Sequence, residues 1–339
     1  MAGFRKVPAP TLESVAARAG VSRATAGRIL SGKAGRGDNS RAVHEAAAEL
    51  GYVANYAARS LMTRRSDAVG FVVSEPEESV FSDPFFATVL RGVHEGVAAR
   101  ERQLTFIIVS SEHDRHRLQQ FVAGGHLDGL MFGAFHGADP LPDAVRALGI
   151  PVVQCGRPHE ADDDLAFVDA DNVGGGRAAT RYLLERREFV VHVAGPADMT
   201  PAQDRRSGFD LELAGRGLSG TADRTVHAPF TVQGGREATE TLLERHPQLD
   251  GVVAASDAMA VGAIQALTAR GRRVPEDVGV VGFDDVPLAE AAQPPLTTVR
   301  QPIRQMGREV ADLLLDQIDG RSGPRHVLLP TTLRVRGSA

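Results

Sequence analysis

From about residue 69 onward, short apolar runs alternate with amphipathic stretches of helix length. VGFVV (69–73), LTFIIV (104–109), DGLMF (128–132) and IPVVQ (150–154) are apolar nearly throughout, the character of strands buried on both faces of a parallel sheet. Between them, stretches such as FFATVLRGVHEGVAARE return apolar residues every three or four positions, as a helix covering a sheet does. A second set follows, with FVVHVAG (189–195), DGVVAAS (250–256) and VGVVGFD (278–284) as strands and 173–187, 202–217, 234–246 and 257–271 as helices. The alternation predicts an α/β fold of two lobes, each built on a doubly wound parallel sheet. Residues 285–300 are Pro-rich without clear period, 302–319 predicts a helix and 326–336 a last strand, so the chain is expected to return between the lobes, with a cleft between them. The expected first lobe is about 67–165 and 288–322, the second about 166–287 and 323–339.

The other end of the chain carries a different pattern. In TLESVAARAGVSRATAGRIL (11–30), Leu12, Val15, Ala16 and Ala19 form one helical face, Gly20 permits a turn and Val21 plugs the angle. Ser22 is placed to cap a second helix whose inner face is Thr25, Ala26 and Ile29. Arg23, Ala24, Gly27 and Arg28 then face outward, the placement that base reading in a DNA major groove requires. This is the spacing of a helix-turn-helix.

Charge sharpens that picture. Residues 1–66 hold eleven Lys and Arg against four acids, a formal +7, which leaves −12 on the remaining 273 residues of a chain whose total is −5. A basic end on an acidic body meets a polyanion while the body avoids it: DNA, RNA or a membrane surface. With 36 Arg and only 2 Lys, a bias that codon usage explains, an arginine by itself is no signal. No run of 18 apolar residues is present, so membrane spanning is not expected. MAGFRKVPAPTLES has no apolar stretch behind its charges and Cys155 is the only cysteine, so the chain is expected in the cytoplasm, without a disulfide framework.

No catalytic signature survives inspection. Gly27-x4-Gly32-Lys33 resembles a phosphate loop, but Ala34 replaces the hydroxyl that would hold magnesium and a helix precedes it where a strand belongs. His44-Glu45 and His94-Glu95 begin like a zinc-protease motif, with Ala48 and Ala98 where the second histidine belongs. Gly174-Gly175-Gly176 lacks dinucleotide-loop spacing and reads as tight helix packing or ligand approach, and Cys155 ends an apolar strand as a buried thiol. No cofactor and no metal are expected.

The whole chain resembles the LacI/GalR (lactose-repressor) family of transcription factors. The resemblance rests on TLESVAARAGVSRAT, ELGYVAN (49–55), AARSLMT (57–63), SDPFF (82–86), DN (171–172), DRRSGF (204–209), SDAMAVGAIQAL (256–267), RVPEDVGVVGFDD (273–285), LTTVRQP (296–302) and LPTTLRVR (329–336), in that order. It implies a three-helix DNA-binding headpiece (1–54), a hinge helix and linker (55–66), and a core like the periplasmic sugar-binding proteins (67–339) whose lobes close on an effector. It puts Thr11, Ser22, Arg23, Ala24, Thr25 and Arg28 on the operator, together with Asn55 as hinge-helix cap, Tyr56, Arg59, and Leu61 as a wedge in the minor groove. In the cleft it implies Arg205 and Asp284 as effector-binding arginine and carboxylate, Phe230 for stacking, and Asp83, Phe85, Ser256 and Asp257 beside them. The partners it implies are double-stranded DNA with a palindromic operator, a small effector and a second copy of the chain, with no membrane.

Two departures matter. Thr25-Ala26-Gly27-Arg28 stands where many relatives read T-V-S-R, and a mid-helix glycine costs roughly 0.5–1 kcal/mol relative to alanine. Asp83 stands where asparagine is frequent, which changes the donor pattern offered to a ligand. Phe230, Phe283, Asp284 and Arg205 suit a sugar ring and its hydroxyls, while a nucleobase or sugar phosphate stays open. The competing classes are a transport receptor, which would need export and has no use for the basic end, and a nucleotide-dependent enzyme, which would need a reactive constellation.

Overall fold

A computed structural model describes residues 10–30, 37–52, 65–134, 136–160, 162–218 and 221–339. The chain divides into two compact units, 1–66 and 67–339. In the first, α1 (Leu12–Ala19), α2 (Arg23–Leu30) and α3 (Asp38–Leu50) bury Val15, Ala16, Ala26, Ile29, Val43, Ala46 and Ala47 against one another. Thr11 and Ser14 form a reciprocal capping box at the start of α1. At its end Gly20 adopts a φ of 68°, which lets the Val21 amide bond back to the Ala16 carbonyl at 3.0 Å and turns the chain toward α2.

The second unit runs β1 (Ala68–Val73), α4 (Glu77–Ser82), α5 (Pro84–Ala99), β2 (Gln103–Ile108), α6 (Glu112–Ala123), β3 (Gly129–Gly133), α7 (Leu141–Arg146), β4 (Val152–Cys155) and β5 (Ala166–Ala170). It continues through α8 (Asn172–Leu184), β6 (Val190–Ala194), α9 (Thr200–Gly215), β7 (Thr225–His227), α10 (Val232–Arg245), β8 (Gly251–Ala254), α11 (Asp257–Ala269) and β9 (Gly279–Asp284). Last come α12 (Pro287–Ala291), β10 (Thr297–Arg300), α13 (Ile303–Ile318), β11 (His326–Leu329) and β12 (Thr332–Arg334).

Two six-stranded sheets result, ordered β11-β5-β4-β3-β1-β2 and β12-β10-β9-β8-β6-β7. Every pairing is parallel except that of β10 with β12. Each order reverses once, between β1 and β3 and between β6 and β8, the switch points at which doubly wound sheets open a crevice. The lobe boundaries need correction. β5 pairs with β4 and stays in the first lobe, β10 pairs with β9 and keeps the Pro-rich segment in the second, and β11 pairs with β5 back in the first. The single strand expected over 326–336 is two strands in different sheets, separated by Pro330 and Thr331. The lobes are therefore 67–170 with 303–329, and 172–300 with 332–339, joined by three crossings at Asp171, Gln301–Pro302 and Pro330–Thr331.

Helices close on one another through glycines. A Cβ on Gly92 would lie 2.0 Å from the Arg304 carbonyl oxygen, one on Gly307 2.2 Å from that of Val89, and one on Gly176 2.4 Å from that of Arg205. Of the glycine run 174–176, Gly176 thus serves the crossing of α8 with α9, while a Cβ on Gly175 would meet the Phe283 ring at 2.7 Å, the packing alternative of the sequence reading. Among the described residues no helix is long and apolar enough to cross a membrane.

Candidate functional site

Both sheets turn the carboxyl ends of their strands toward one cavity of about 660 Å³. Phe71 and Glu75 reach it from β1 and the turn beyond, Gln154 and Cys155 from β4, and Asp169 from β5; the second lobe contributes Pro196, Ala228, Ser256 and Asp284 from just beyond or at the ends of β6, β7, β8 and β9. This is the crevice that the switch points predict.

Arg205 anchors its second-lobe wall. Arg205 lies in the second turn of α9 and Asp284 is the last residue of β9, within the helix expected over 202–217 and the strand expected over 278–284. Helix α9 follows the switch-point strand β6 directly, so its first turns overhang the strand ends. The guanidinium is buried, with Nε donating to Asn172 Oδ1 at 2.9 Å, Nη1 to the Ala255 carbonyl at 2.5 Å, and Nη2 3.5 Å from Asp284 Oδ1. Its carbon lies 3.9 Å from the centroid of the Phe283 ring, so Phe283 is both core residue and cation–π platform. Asp284 reaches the cavity through a sharp turn: its φ is 116° and that of Asp285 is 58°, costly backbone that persists because the surroundings fix it. Asp285 turns the other way and receives Arg336 at 2.7 Å, while Gln301, on a crossing, donates its side-chain amide to Asp284. Burial raises the Asp284 carboxyl to about 7, against the nearby Arg205 charge, which favours ionisation.

Of the other expected cleft residues, Phe85, Phe230 and Ser256 line the cavity, and Ser256 also caps α11 by accepting the Met259 amide. Phe230 lies across Gly195, where a Cβ would meet its ring at 2.3 Å. Asp83 lines the cavity too, but one oxygen accepts the Phe85 amide at 2.9 Å as the cap of α5; burial raises its carboxyl above the ordinary value. Asp257 is a correction. It is fully buried outside the cavity lining, with its oxygens taken by the Val286 amide at 2.9 Å and the Thr298 hydroxyl at 2.5 Å, so its carboxylate holds the turn after β9.

Sequence reasoning passed over Asp169, Asn172, Gln301 and His136, all of which line the cavity. Burial lifts Asp169 to about 6. Asn172 stands in the quoted DN motif and Gln301 in LTTVRQP, so the signal was present without a role attached to it. The Cys155 thiol is pushed up to about 12 by burial, which leaves it inert at neutral pH.

In the headpiece, Ser22 Oγ accepts the Thr25 amide at 3.1 Å and lies 2.8 Å from Thr25 Oγ1. The Thr11 hydroxyl caps α1. Ala24 and Arg28 are exposed on the outer face of α2, and Arg23 pairs with Glu13 at 2.6 Å. Asn55, Tyr56, Arg59 and Leu61 lie outside the described residues, as do Lys33 and Ala34.

Known proteins share this arrangement. Residues 180–339 match the periplasmic binding protein-like domain. Over 335 residues the chain is 43% identical to the helix-turn-helix transcriptional regulator CelR of Thermobifida fusca, covering 97% of this chain and 98% of that one. It is 30% identical over 337 residues to the ribose operon repressor of Escherichia coli K12, covering 97% and 99%. A solved CelR–cellobiose complex overlays with a TM-score of 0.79 at 41% identity, covering 97% of this chain and 100% of that one. The lac repressor dimer bound to operator and an anti-inducer overlays at 0.83 with 23% identity, covering 97% and 98%, a likeness of fold. Full-length identity at this level, carried on a helix-turn-helix unit and a two-lobed core, makes the chain a member of the LacI family of transcriptional regulators.

Proposed function

We propose that the protein is a cytoplasmic repressor, without enzymatic activity, that acts as a homodimer on a palindromic operator and responds to a neutral sugar in the cleft. The observation that carries the sugar is the lining: Glu75, Asp83, Asp169 and Asp284 turn carboxyl groups inward beside one buried guanidinium, with the aromatic side chains of Phe85 and Phe230 contributed by opposite lobes. Carboxylates accept hydrogen bonds from sugar hydroxyls, and the aromatic faces stack on the ring. A phosphate would face four carboxyl groups set against the Arg157 and Arg205 guanidiniums and the His136 ring, an excess of acid that argues against the sugar-phosphate alternative. The solved CelR–cellobiose complex, similar over 97% of this chain, makes a disaccharide the first probe.

On the DNA side, Arg23, Ala24, Thr25 and Arg28 read the major groove, with Thr11 and Ser22 on its phosphates. Asn55, Tyr56, Arg59 and Leu61 serve the hinge and the minor groove. A thermal-shift screen of cellobiose, glucose, ribose, ribose 5-phosphate and adenosine tests the effector class, since a ligand of the native state alone raises the melting point. Anisotropy titration against DNA selected from a random pool, with and without the hit, tests the response. Stabilisation by ribose 5-phosphate or adenosine and not by neutral sugars refutes the reading.

A further inference from the structure

At the rim of the cleft one side chain joins the lobes. His136 follows β3, and its Nε2 lies 3.1 Å from Oε1 of Glu75, on the turn after β1 in the same lobe. Its Nδ1 lies 3.0 Å from Oδ2 of Asp198, on the turn between β6 and α9 in the other lobe. The Gly137 amide adds a bond to the Asp198 carbonyl at 2.8 Å. A second bridge, Arg157 to Asp204 at 2.7 Å, also spans the lobes. Both carboxylates accept only, and a neutral imidazole carries a single N–H. The two-sided bridge therefore needs the imidazolium.

We propose that His136 is a proton-dependent clasp: closing the lobes on the ligand takes up a proton at this imidazole, so that effector affinity falls as the pH rises. The inference rests on the cleft being the effector site. The charged groups around the clasp are consistent with it. Glu75 and Asp198 contact the ring, Asp83 lies near Glu75, Asp139 on the loop after β3 is taken by Arg115, and Asp204 is taken by Arg157. The hydrogen bond to Glu75, reinforced by Asp198, lifts the imidazole to about 9 in this arrangement. Opening removes the Asp198 share and lowers it. Closure thus gains its full proton contribution below the open-state value and loses it as the pH rises through about 9. One proton limits the effect to at most about a tenfold loss of affinity per pH unit in that window.

Two measurements on the full-length protein test this. Imidazole NMR titration, with the His136 signal identified by its loss in His136→Gln, is expected to give ligand-free protein a midpoint above the ordinary 6.5 that Glu75→Gln lowers, and saturating cellobiose is expected to raise it further unless Asp198 is replaced by Asn. An ordinary midpoint in the ligand-free protein, or a ligand-induced rise that Asp198→Asn leaves unchanged, overturns the clasp. Calorimetric titration with cellobiose at pH 8, in two buffers of different ionisation enthalpy, is expected to show net proton uptake that His136→Gln abolishes and Arg157→Ala retains. Uptake unchanged in His136→Gln also overturns it. Absence of any cellobiose binding would instead count against the sugar reading, and the NMR titration then decides the clasp alone.

Discussion

Replacing Arg205 by methionine separates the charge of the cleft from its packing. Methionine keeps a flexible apolar side chain against the Phe283 ring, which the guanidinium now covers at 3.9 Å, but supplies no donor. Asn172 Oδ1 and the Ala255 carbonyl lose the guanidinium as donor, and the Asp284 carboxylate loses its counter-charge while keeping the Gln301 amide. Removing one member of a buried ion pair costs about 3–5 kcal/mol, because the remaining charge stays desolvated. If that carboxyl is protonated, only neutral acceptors are orphaned, at about 1–3 kcal/mol. Burial already holds Asp284 at about 7, and loss of the cation pushes it higher still. Because the folded-state carboxyl titrates above its unfolded value, its contribution is favourable at acid pH and disappears as the pH rises through about 7. Arg205→Met should therefore lose about 1–3 kcal/mol at pH 5, and at pH 8 up to about 1.4 kcal/mol more, the linkage of one proton over one unit above about 7. Urea unfolding at both values, followed by far-UV circular dichroism, measures the two losses. A cost below about 1 kcal/mol, or one equal at the two pH values, would refute the assignment of Arg205 and Asp284 as a desolvated pair.

The headpiece and the helix packing yield further expectations. Gly27→Ala should stabilise the headpiece by about 0.5–1 kcal/mol, because the new Cβ meets only Leu12 Cδ2 at 3.4 Å; a headpiece melting point that fails to rise in scanning calorimetry contradicts this. Glu13→Gln releases Arg23 from an exposed pair and should tighten DNA binding by at most about fivefold at low salt, an effect that anisotropy should see fade as salt is added. Gly307→Ala should destabilise the first lobe by about 1–3 kcal/mol, since its Cβ would stand 2.2 Å from the Val89 carbonyl. Gly215→Ala, with nothing within 4 Å, is the control whose urea midpoint should not fall.

The legible parts of this fold are those whose burial is apolar. Strands β1, β3, β8 and β9 are buried along almost their whole length, so their runs stand out from the flanking helices. Strand β10 hid in the Pro-rich segment because its first two buried residues are Thr297 and Thr298, both fully buried. Hydrogen bonds make that burial tolerable: Thr298 donates to Asp257, and Thr297 accepts the Arg336 amide. Strand β5 carries the buried Asp169, and β7 is three residues long, below the length at which periodicity speaks. The same limit explains Asp257. A carboxylate next to a cleft serine reads as a ligand-binding group, and only the placement of Val286 and Thr298 reveals that its oxygens are already satisfied. His136 carried no signal, since both its partners come from loops distant in sequence.

The wiring of the cleft to the crossings bears on how a ligand could be felt beyond it. Arg205 donates to Asn172, which follows the first crossing directly; Asp284 receives Gln301, which lies on the second; and the Thr331 hydroxyl, on the third, donates to the Asp171 carbonyl of the first at 3.1 Å. The pair proposed to grip the sugar is thus hydrogen-bonded to the segments about which the lobes turn. A ligand held by one lobe alone interacts equally with open and closed forms and shifts nothing between them. One held by Arg205 and Asp284 on one side and by Phe85 and Glu75 on the other gains contacts only on closure, and couplings of this kind are worth about 1–3 kcal/mol. The His136 clasp holds the same Glu75, and closure makes its bond to Asp198 across the lobes, so proton and sugar favour the same closed form.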